Sequence, residues 1–372
     1  MKSFSIVVVA TFGLESVVKN EIIRMGYSID KVENGSIYLN GDIEVIATLN
    51  QNLRCAERVF ILMGQFASKT WEDLYQGVKN LEWLNILNQE SCFPVNAKSV
   101  KSKLFSLSDI QAISKKAIVE HMKLNYKIEW FAEQGAKVPI HVNILNDIVS
   151  VLIDTSGAGL HRRGYRALAN DAPLKETLAA GLVQLSRWNA KGPLYDPFCG
   201  TGTILIEAAM IMRNIPPGLN KKPVFETWSV SDDKIIKSVR VKGYEQIIYD
   251  RDVLIVGTDI DPRAIRTAMK NAELAGVDDC INFSVKALAD WEAEAKQGCI
   301  ITNPPYGERL EDKDSVSILH KKLREKVESQ GISLCNLLTS HEHFEQDFGI
   351  KADKNRKLYN GNIKCYFYQY KF

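Results

Sequence analysis

The sequence predicts an α/β chain whose C-terminal half is a parallel sheet covered by helices and closed by an antiparallel edge, with smaller α+β units in front. Three observations carry this reading. From about Arg166 onward, short apolar runs alternate with helical stretches. One of those runs leads into Asp196-Pro-Phe-Cys-Gly200-Thr-Gly202-Thr203, where two glycines stand between a strand and a helix. Asn34-Gly35 and Asn360-Gly361 each separate two strand-like runs, as the φ > 0 turn of a tight hairpin requires.

Taken in order, Phe4–Thr11 reads as a strand, Leu14–Met25 as a helix, and the runs around Asn34-Gly35 as a hairpin. A helix at Ile43–Asn50 and a strand at Arg58–Gln65 complete the first unit. A second unit opens near Ser68, with helical spacing over Trp71–Leu87 and strands at Ile140–Leu145 and Ile148–Asp154. The expected sheet strands of the remainder are Leu194–Asp196, Leu254–Asp259, Ile281–Val285, Cys299–Thr302 and Ile332–Leu338, followed by the hairpin Arg356–Tyr359 and Asn362–Phe372. The segment 213–252 reads as an inserted helical excursion.

At 372 residues the chain is longer than one ordinary domain, and 45% hydrophobic with 25% charged residues is a globular balance. No apolar run approaches the roughly 20 residues of a membrane span. The N-terminus turns from strand to helix without a cleavage region, so a cytoplasmic location is the default expectation. Seven scattered cysteines, none spaced Cys-x-x-Cys, suggest neither a disulfide framework nor a metal site. The net charge of +2 announces no nucleic-acid partner, so any basic surface must be local. One such region exists. Between Pro94 and Lys127 stand seven lysines, among them Lys98, Lys101, Lys103 and Lys116, against Asp109 and Glu120. Phosphate contact and a solvated helix face share that pattern. Arg162, Arg163 and Arg166 form a second cluster at the junction with the C-terminal half, for which phosphate contact or an interdomain role are the alternatives.

The chemistry concentrates at strand ends. A ligand must approach the backbone closely at Gly200 and Gly202. Asp259, at the carboxyl end of the next strand, can accept hydrogen bonds from a ribose. It stands 57 positions after Gly202, where a nicotinamide site has about 20, so spacing alone does not identify the ligand. The fourth strand ends Thr302-Asn303-Pro304-Pro305-Tyr306-Gly307. Two prolines stiffen this loop and remove two donors. An Asn303 acceptor, the Pro304 carbonyl and a stacking Tyr306 suit a planar ring bearing an exocyclic amine, which argues against a dinucleotide enzyme. Such an amine is a poor nucleophile, and alignment and electrostatics can activate it for methyl transfer without a metal.

Together these motifs resemble those of class I S-adenosylmethionine-dependent amino-methyltransferases, and the closing hairpin resembles their reversed last strand. His161–Arg166, Ala172-Pro-Leu-Lys-Glu-Thr-Leu178 and Asn303-Pro-Pro-Tyr-Gly-Glu-Arg-Leu310 look more narrowly like the bacterial 23S rRNA guanine-N2 methyltransferases that carry a THUMP domain. The resemblance implies a ferredoxin-like unit at 1–65, a THUMP RNA-binding domain at 66–160 and a Rossmann-like methyltransferase domain at 161–372. It implies S-adenosylmethionine as cofactor, with Asp196, Phe198, Gly200 and Gly202 around its methionine moiety, Asp259 on its ribose, and Pro173 and Thr177 lining the pocket. Asn303, Pro304, Pro305 and Tyr306 become the catalytic loop. Val285-Lys286-Ala287 lacks the acid or amide that many relatives set near the adenine, so Asp290 or a backbone group is the expected substitute. RNA, 23S rRNA or an assembling ribosomal particle, is the implied partner. Two rivals remain: an adenine-N6 methyltransferase on RNA or DNA, since the loop demands only an exocyclic amine, and a catalytically silent RNA-binding or assembly factor. The chain ends before the additional methyltransferase domain of some relatives could begin, so a single methylation activity is expected. His341-Glu342-His343 reads as a surface segment, because i and i+2 on a helix diverge. Cys199 reads as a packing residue, and Phe225 and Trp228 as anchors of the insertion. The basic run Lys351, Lys354, Arg356 and Lys357 has no assignment.

Overall fold

The structure, a computed structural model, describes residues 2–33, 35–166, 174–305 and 313–372, with side chains beyond position 315 in the last stretch. The first half is one continuous sheet of β1 (Phe4–Ala10), β2 (Lys31–Glu33), β3 (Ser36–Gly41), β4 (Ala56–Ala67), β5 (Val95–Val100), β6 (Ile140–Leu145) and β7 (Ile148–Asp154), in the order β2-β3-β1-β4-β7-β6-β5. Helices α1 (Glu15–Arg24), α2 (Ile43–Asn52), α3 (Trp71–Lys79) and α4 (Leu107–Tyr126) complete this half. The two N-terminal units share this sheet: β4 pairs β7 from Phe60↔Asp154 to Ala67↔Ile148, so the boundary expected at 65 falls inside β4. Alternation in β6 buries Ile140, Val142 and Ile144 and leaves His141 and Asn143 on the other face. A Thr70–Asp73 capping box starts α3, satisfying two otherwise orphaned backbone donors. β5 is absent from the sequence expectation. Its Val-Asn-Ala-Lys-Ser-Val is poor in strand formers, and parallel pairing with β6 holds it in place.

The second half contains α5 (Glu176–Leu185), β8 (Leu194–Asp196), α6 (Thr203–Met212), α7 (Asp233–Glu245), β9 (Ile255–Asp259), α8 (Pro262–Ala275), β10 (Ile281–Val285), β11 (Cys299–Thr302), α9 (Lys313–Ser329), β12 (Leu334–Thr339), α10 (Phe344–Phe348), β13 (Lys354–Asn360) and β14 (Ile363–Lys371). Its sheet runs β10-β9-β8-β11-β12-β14-β13, parallel through β12, with β14 antiparallel to both neighbours. β11 is buried along its whole length, as a central parallel strand should be. α8 begins with an Asp261 cap and Pro262 and ends at the left-handed Gly276, a start and stop written locally. In the insertion, Phe225 and Trp228 are buried, and the Trp228 indole donates to the Lys137 carbonyl at 2.9 Å. Among the described residues, no helix is long and apolar enough to cross a membrane.

Buried polar contacts weld the halves together. Glu207 is fully buried on α6; it accepts from Arg163 Nε at 3.3 Å and from the Tyr165 hydroxyl at 3.0 Å. The same Arg163 guanidinium donates to the carbonyls of Leu160 and of Arg54 in the first half. This corrects the phosphate-contact expectation for Arg163: its side chain is 2% exposed, and all three nitrogens already have protein partners. Arg166 is half-buried, donating to the Leu174 carbonyl and Thr203 Oγ1, with Glu176 alongside. Arg162 alone of the three is exposed. A second weld is Glu57 of β4, which accepts from Thr11 and Thr177 and pairs with Lys175. Burial pushes its carboxyl up, but the nearby His161 ring, the Thr11 hydroxyl and the Lys175 ammonium outweigh it and hold the group far below the usual carboxylate range.

Removing Arg163 would strand a buried carboxylate. Arg163→Ala should therefore lower stability to denaturant by about 3–5 kcal/mol, whereas Arg162→Ala, on an exposed side chain, should change it by less than about 0.5 kcal/mol. Equal unfolding midpoints for the two variants would refute the structural role.

Candidate active site

In an open parallel sheet the ligand crevice lies beyond the strand carboxyl ends where strand order reverses. Here that point is β8, flanked by β9 and β11. The turn after β8 is held from both sides. Asp259, at the end of β9, accepts from the Gly200 amide at 2.9 Å, and from its own Asp261 amide at 2.9 Å. Asp196 accepts through one oxygen, Oδ1, from the Phe198 amide at 3.1 Å and from Thr302 Oγ1 at 2.6 Å. Thr302 ends β11, so this bond fixes the strand that delivers Asn303. Burial, aided by the nearby Asp259 charge, pushes the Asp196 carboxyl up to about 7, while the Thr302 and Phe198 bonds oppose the shift.

Both glycines of the turn have left-handed backbones. Gly200 has φ +52° with nothing within 4 Å of where a Cβ would stand, so the loop is open on that side. Gly202 caps α6 at φ +81°, and a Cβ there would meet Phe283 at 3.0 Å and Ala268 at 3.1 Å. Phe198 is partly exposed beside the turn, and Cys199 is a buried packing residue whose thiol burial pushes well up. Asn303 is half-buried, Pro304 buried and Pro305 exposed. Asp290 is exposed beyond β10, on a short turn of 3₁₀ helix. Tyr306 and Pro173 lie outside the described residues.

One expected pocket residue faces elsewhere. Thr177 is fully buried, and its hydroxyl donates to Glu57 Oε1 at 3.0 Å, which makes it part of the interdomain weld. Thr302, conversely, emerges only in three dimensions. It ends an apolar strand just before Asn-Pro-Pro, and nothing in the sequence pairs it with a residue 106 positions earlier.

The candidate RNA contacts are dispersed. Lys98 lies on the open face of the N-terminal sheet, Lys101 and Lys103 follow β5, and Lys116 projects from α4; all four are exposed. They stand on three successive elements, a strand, the loop after it and a helix. Lys115, from the same run, is tied to Glu133 and to the Phe93 carbonyl and ring. A separate cleft of about 1170 Å³ lies between the N-terminal sheet and the insertion, with Arg58, Lys137, His141, Lys222 and Lys237 on its walls. The His341 segment is also less superficial than expected. His341 Nε2 lies 2.7 Å from Asp347 and its ring 5.4 Å from that of fully buried His320, whose titration burial pushes down to about 4.

Family models match three stretches of the chain: the methyltransferase domain described as RMKL-like at residues 163–369, the RlmL ferredoxin-like domain at 5–60, and the THUMP domain at 68–154. YpsC of Bacillus subtilis, described as a candidate RNA methyltransferase, is 41% identical over 372 residues, spanning 100% of this chain and 96% of that protein. The crystal structure of SMU.472, a candidate methyltransferase complexed with SAH, is 42% identical with a TM-score of 0.95, covering 100% of this chain and 98% of the other. A Listeria monocytogenes protein described by prediction as an N6-adenine-specific DNA methylase is 44% identical with a TM-score of 0.95, covering 100% and 96%.

The glycine turn generates its own test. Gly202→Ala combines a disfavoured φ with two tight contacts, so it should cost about 1–3 kcal/mol of stability. Thermal denaturation reads this directly, and a melting temperature equal to that of the unsubstituted protein would show that the turn tolerates a side chain.

Proposed function

The chain belongs to the RMKL-like methyltransferase family, and from that premise we propose that it methylates the exocyclic N2 amine of a guanine in RNA, with 23S rRNA as substrate and S-adenosylmethionine as cofactor. The observation that carries the reading is the joint anchoring of three strand ends. Asp196, Asp259 and Thr302 tie the glycine turn to the strand that delivers Asn303. The THUMP match and the shared N-terminal sheet support RNA as the substrate class.

The residues present fit the cofactor. The open side of Gly200 leaves room for a ligand against the backbone, and two carboxylates flank it from β8 and β9. Asp196, Phe198, Gly200 and Gly202 would hold the methionine moiety, Asp259 the ribose hydroxyls, and Asp290 the adenine edge. Bound S-adenosylmethionine supplies a methyl group made electrophilic by its sulfonium. The protein's own part is alignment. The Asn303 side chain and the Pro304 carbonyl accept the two hydrogens of the substrate amine, which turns its lone pair toward the donor. Pro304 and Pro305 keep the loop stiff, and Tyr306 stacks on the base. A paired base must leave its stack to reach this loop, at a cost of a few kcal/mol.

A second reading has one observation in its favour: the Listeria relative is described as an adenine-N6 methylase, and an Asn-Pro-Pro loop serves either amine. Nucleoside mass spectrometry of rRNA from a strain lacking the gene separates them. Loss of one N2-methylguanosine is the expected result, loss of N6-methyladenosine would transfer the assignment to adenine, and an unchanged profile would overturn both.

Two variants test the roles. Asn303→Ala should keep cofactor affinity and lose roughly 100-fold or more in turnover, and unimpaired turnover would remove it from the mechanism. Asp259→Ala should weaken cofactor binding in calorimetry by roughly 10- to 100-fold, the worth of charge-assisted hydrogen bonds; unchanged affinity would refute ribose binding.

The Asp196 carboxyl yields a pH prediction. Raised to about 7, it is neutral at lower pH, and the cofactor's cationic ammonium binds the carboxylate form. Affinity should thus fall by up to about tenfold for each pH unit below 7 and level off above it. A profile that stays flat from pH 5.5 to 8.5 would separate Asp196 from the ammonium.

A further inference from the structure

The basic run of the closing hairpin, left without a role by the sequence, meets the first loop of the chain. Arg356 Nη1 donates to the Gly13 carbonyl at 2.8 Å and to Ser16 Oγ at 3.2 Å, fixing the β1–α1 loop against the outer edge of β13. A Cβ on Gly13 would stand 2.6 Å from the Lys357 carbonyl, which shows how closely the two backbones meet. Their junction presents rings and ammonium groups in alternation. Phe12, 59% exposed, makes an edge contact with Tyr359 at 5.7 Å between centroids. Lys357 Nζ lies 5.4 Å from the Tyr359 ring and 6.0 Å from that of Phe12. Across the hairpin, Lys357 pairs with Tyr366 and Tyr359 with Lys364, and Lys364 Nζ lies 5.5 Å over Tyr366. Among the described residues, neither lysine, nor Lys351 or Lys354 just before them, forms an ion pair.

The patch sits at the reactive end of the sheet. Tyr366 is level with Thr339, two residues beyond Leu337, which is level with Thr302. At about 4.8 Å per strand, β14 and β13 lie roughly 10 and 14 Å from β11 and hence from the Asn303 loop. Resting on the reading of the chain as an RNA methyltransferase, we propose that Phe12, Tyr359 and Tyr366, with Lys357 and Lys364, form a stacking platform for the single-stranded RNA that flanks the target nucleotide. Bases stack on the rings and phosphates meet the ammonium groups, the combination that grips single strands without reading their sequence.

Fluorescence anisotropy of a labelled oligouridylate strand tests this on the full chain. Phe12→Ala, in a side chain that is already largely exposed, should weaken binding roughly 5- to 150-fold, whereas Phe12→Tyr should bind like the parent. The double variant Lys357→Gln, Lys364→Gln should reduce the slope of log affinity against log salt by about 1.4, at roughly 0.7 for each phosphate contact on a single strand. If Phe12→Ala melts at a lower temperature, the lysine pair carries the test, since both side chains project into solvent. Unchanged affinity in Phe12→Ala together with an unchanged slope in the lysine variant would overturn the platform and leave RNA binding to other surfaces. No binding by the parent chain would overturn the RNA reading itself.

Discussion

A single buried oxygen, Oδ1 of Asp196, sets the geometry on which the reactive end of the molecule depends. It accepts from the Phe198 amide, which shapes the glycine turn, and from Thr302, which precedes the Asn-Pro-Pro loop. The glycine turn and the end of β11 thus share one anchor, and displacement of either would be felt by both. That arrangement has an energetic cost. Burial raises the carboxyl to about 7, so its charged and neutral forms are close to equally populated at neutral pH. Two donors on one oxygen partly offset the loss of water.

Around that anchor the protein spends its other buried charges on rigidity between halves. Arg163 and Glu207 are both removed from water, and such pairs add little net stability compared with apolar packing. Their value lies in specificity of contact. The Arg163 fork reaches the carbonyls of Leu160 and Arg54 as well as the Glu207 carboxylate, so it can be satisfied only when the two halves meet in one orientation. Glu57 adds a second constraint from β4 through Thr11, Thr177 and Lys175. β4 also joins the ferredoxin-like and THUMP strands in one sheet, so the contacts of Glu57 tie that shared sheet to the C-terminal half. On the function proposed above, this junction sets the distance between the surfaces that grip RNA and the Asn303 loop.

What was legible in the sequence follows from how locally each feature is encoded. The Gly200–Gly202 turn, the Asn303 loop and the Asn360-Gly361 hairpin are readable because a few adjacent residues dictate the backbone there. The Asp259 position is readable because a strand end exposes its carboxylate regardless of the intervening insertion. β5 was not, because Val-Asn-Ala-Lys-Ser-Val acquires its strand character from pairing with β6. Nor could the three arginines at the junction be sorted: within five positions, one is exposed, one is buried on a carboxylate and one is half-buried against α6. The Thr177–Glu57 and Thr302–Asp196 bonds, and the approach of His341 to His320, join residues far apart in sequence, and no local pattern announces such contacts.

Near-neutral composition also acquires a physical meaning. A net charge of +2 over 372 residues gives no long-range pull toward RNA, so affinity must come from where individual cations are placed. Many basic groups are consumed internally: Arg58 on Asp154, Arg163 on Glu207, Arg213 on Asp279 and Arg240 on Glu226. Those that remain outward include Lys98 on β5 and Lys101 just after it, and, in the other half of the chain, Lys357 and Lys364 on the hairpin. Dispersed contacts of this kind make weak nonspecific binding, because a random strand satisfies only one face at a time. A folded RNA that presents a structured element and an adjacent single strand together can satisfy several. On the function proposed above, selectivity for such a substrate arises from spacing between weak sites, and the junction that fixes this spacing matters more than the total charge.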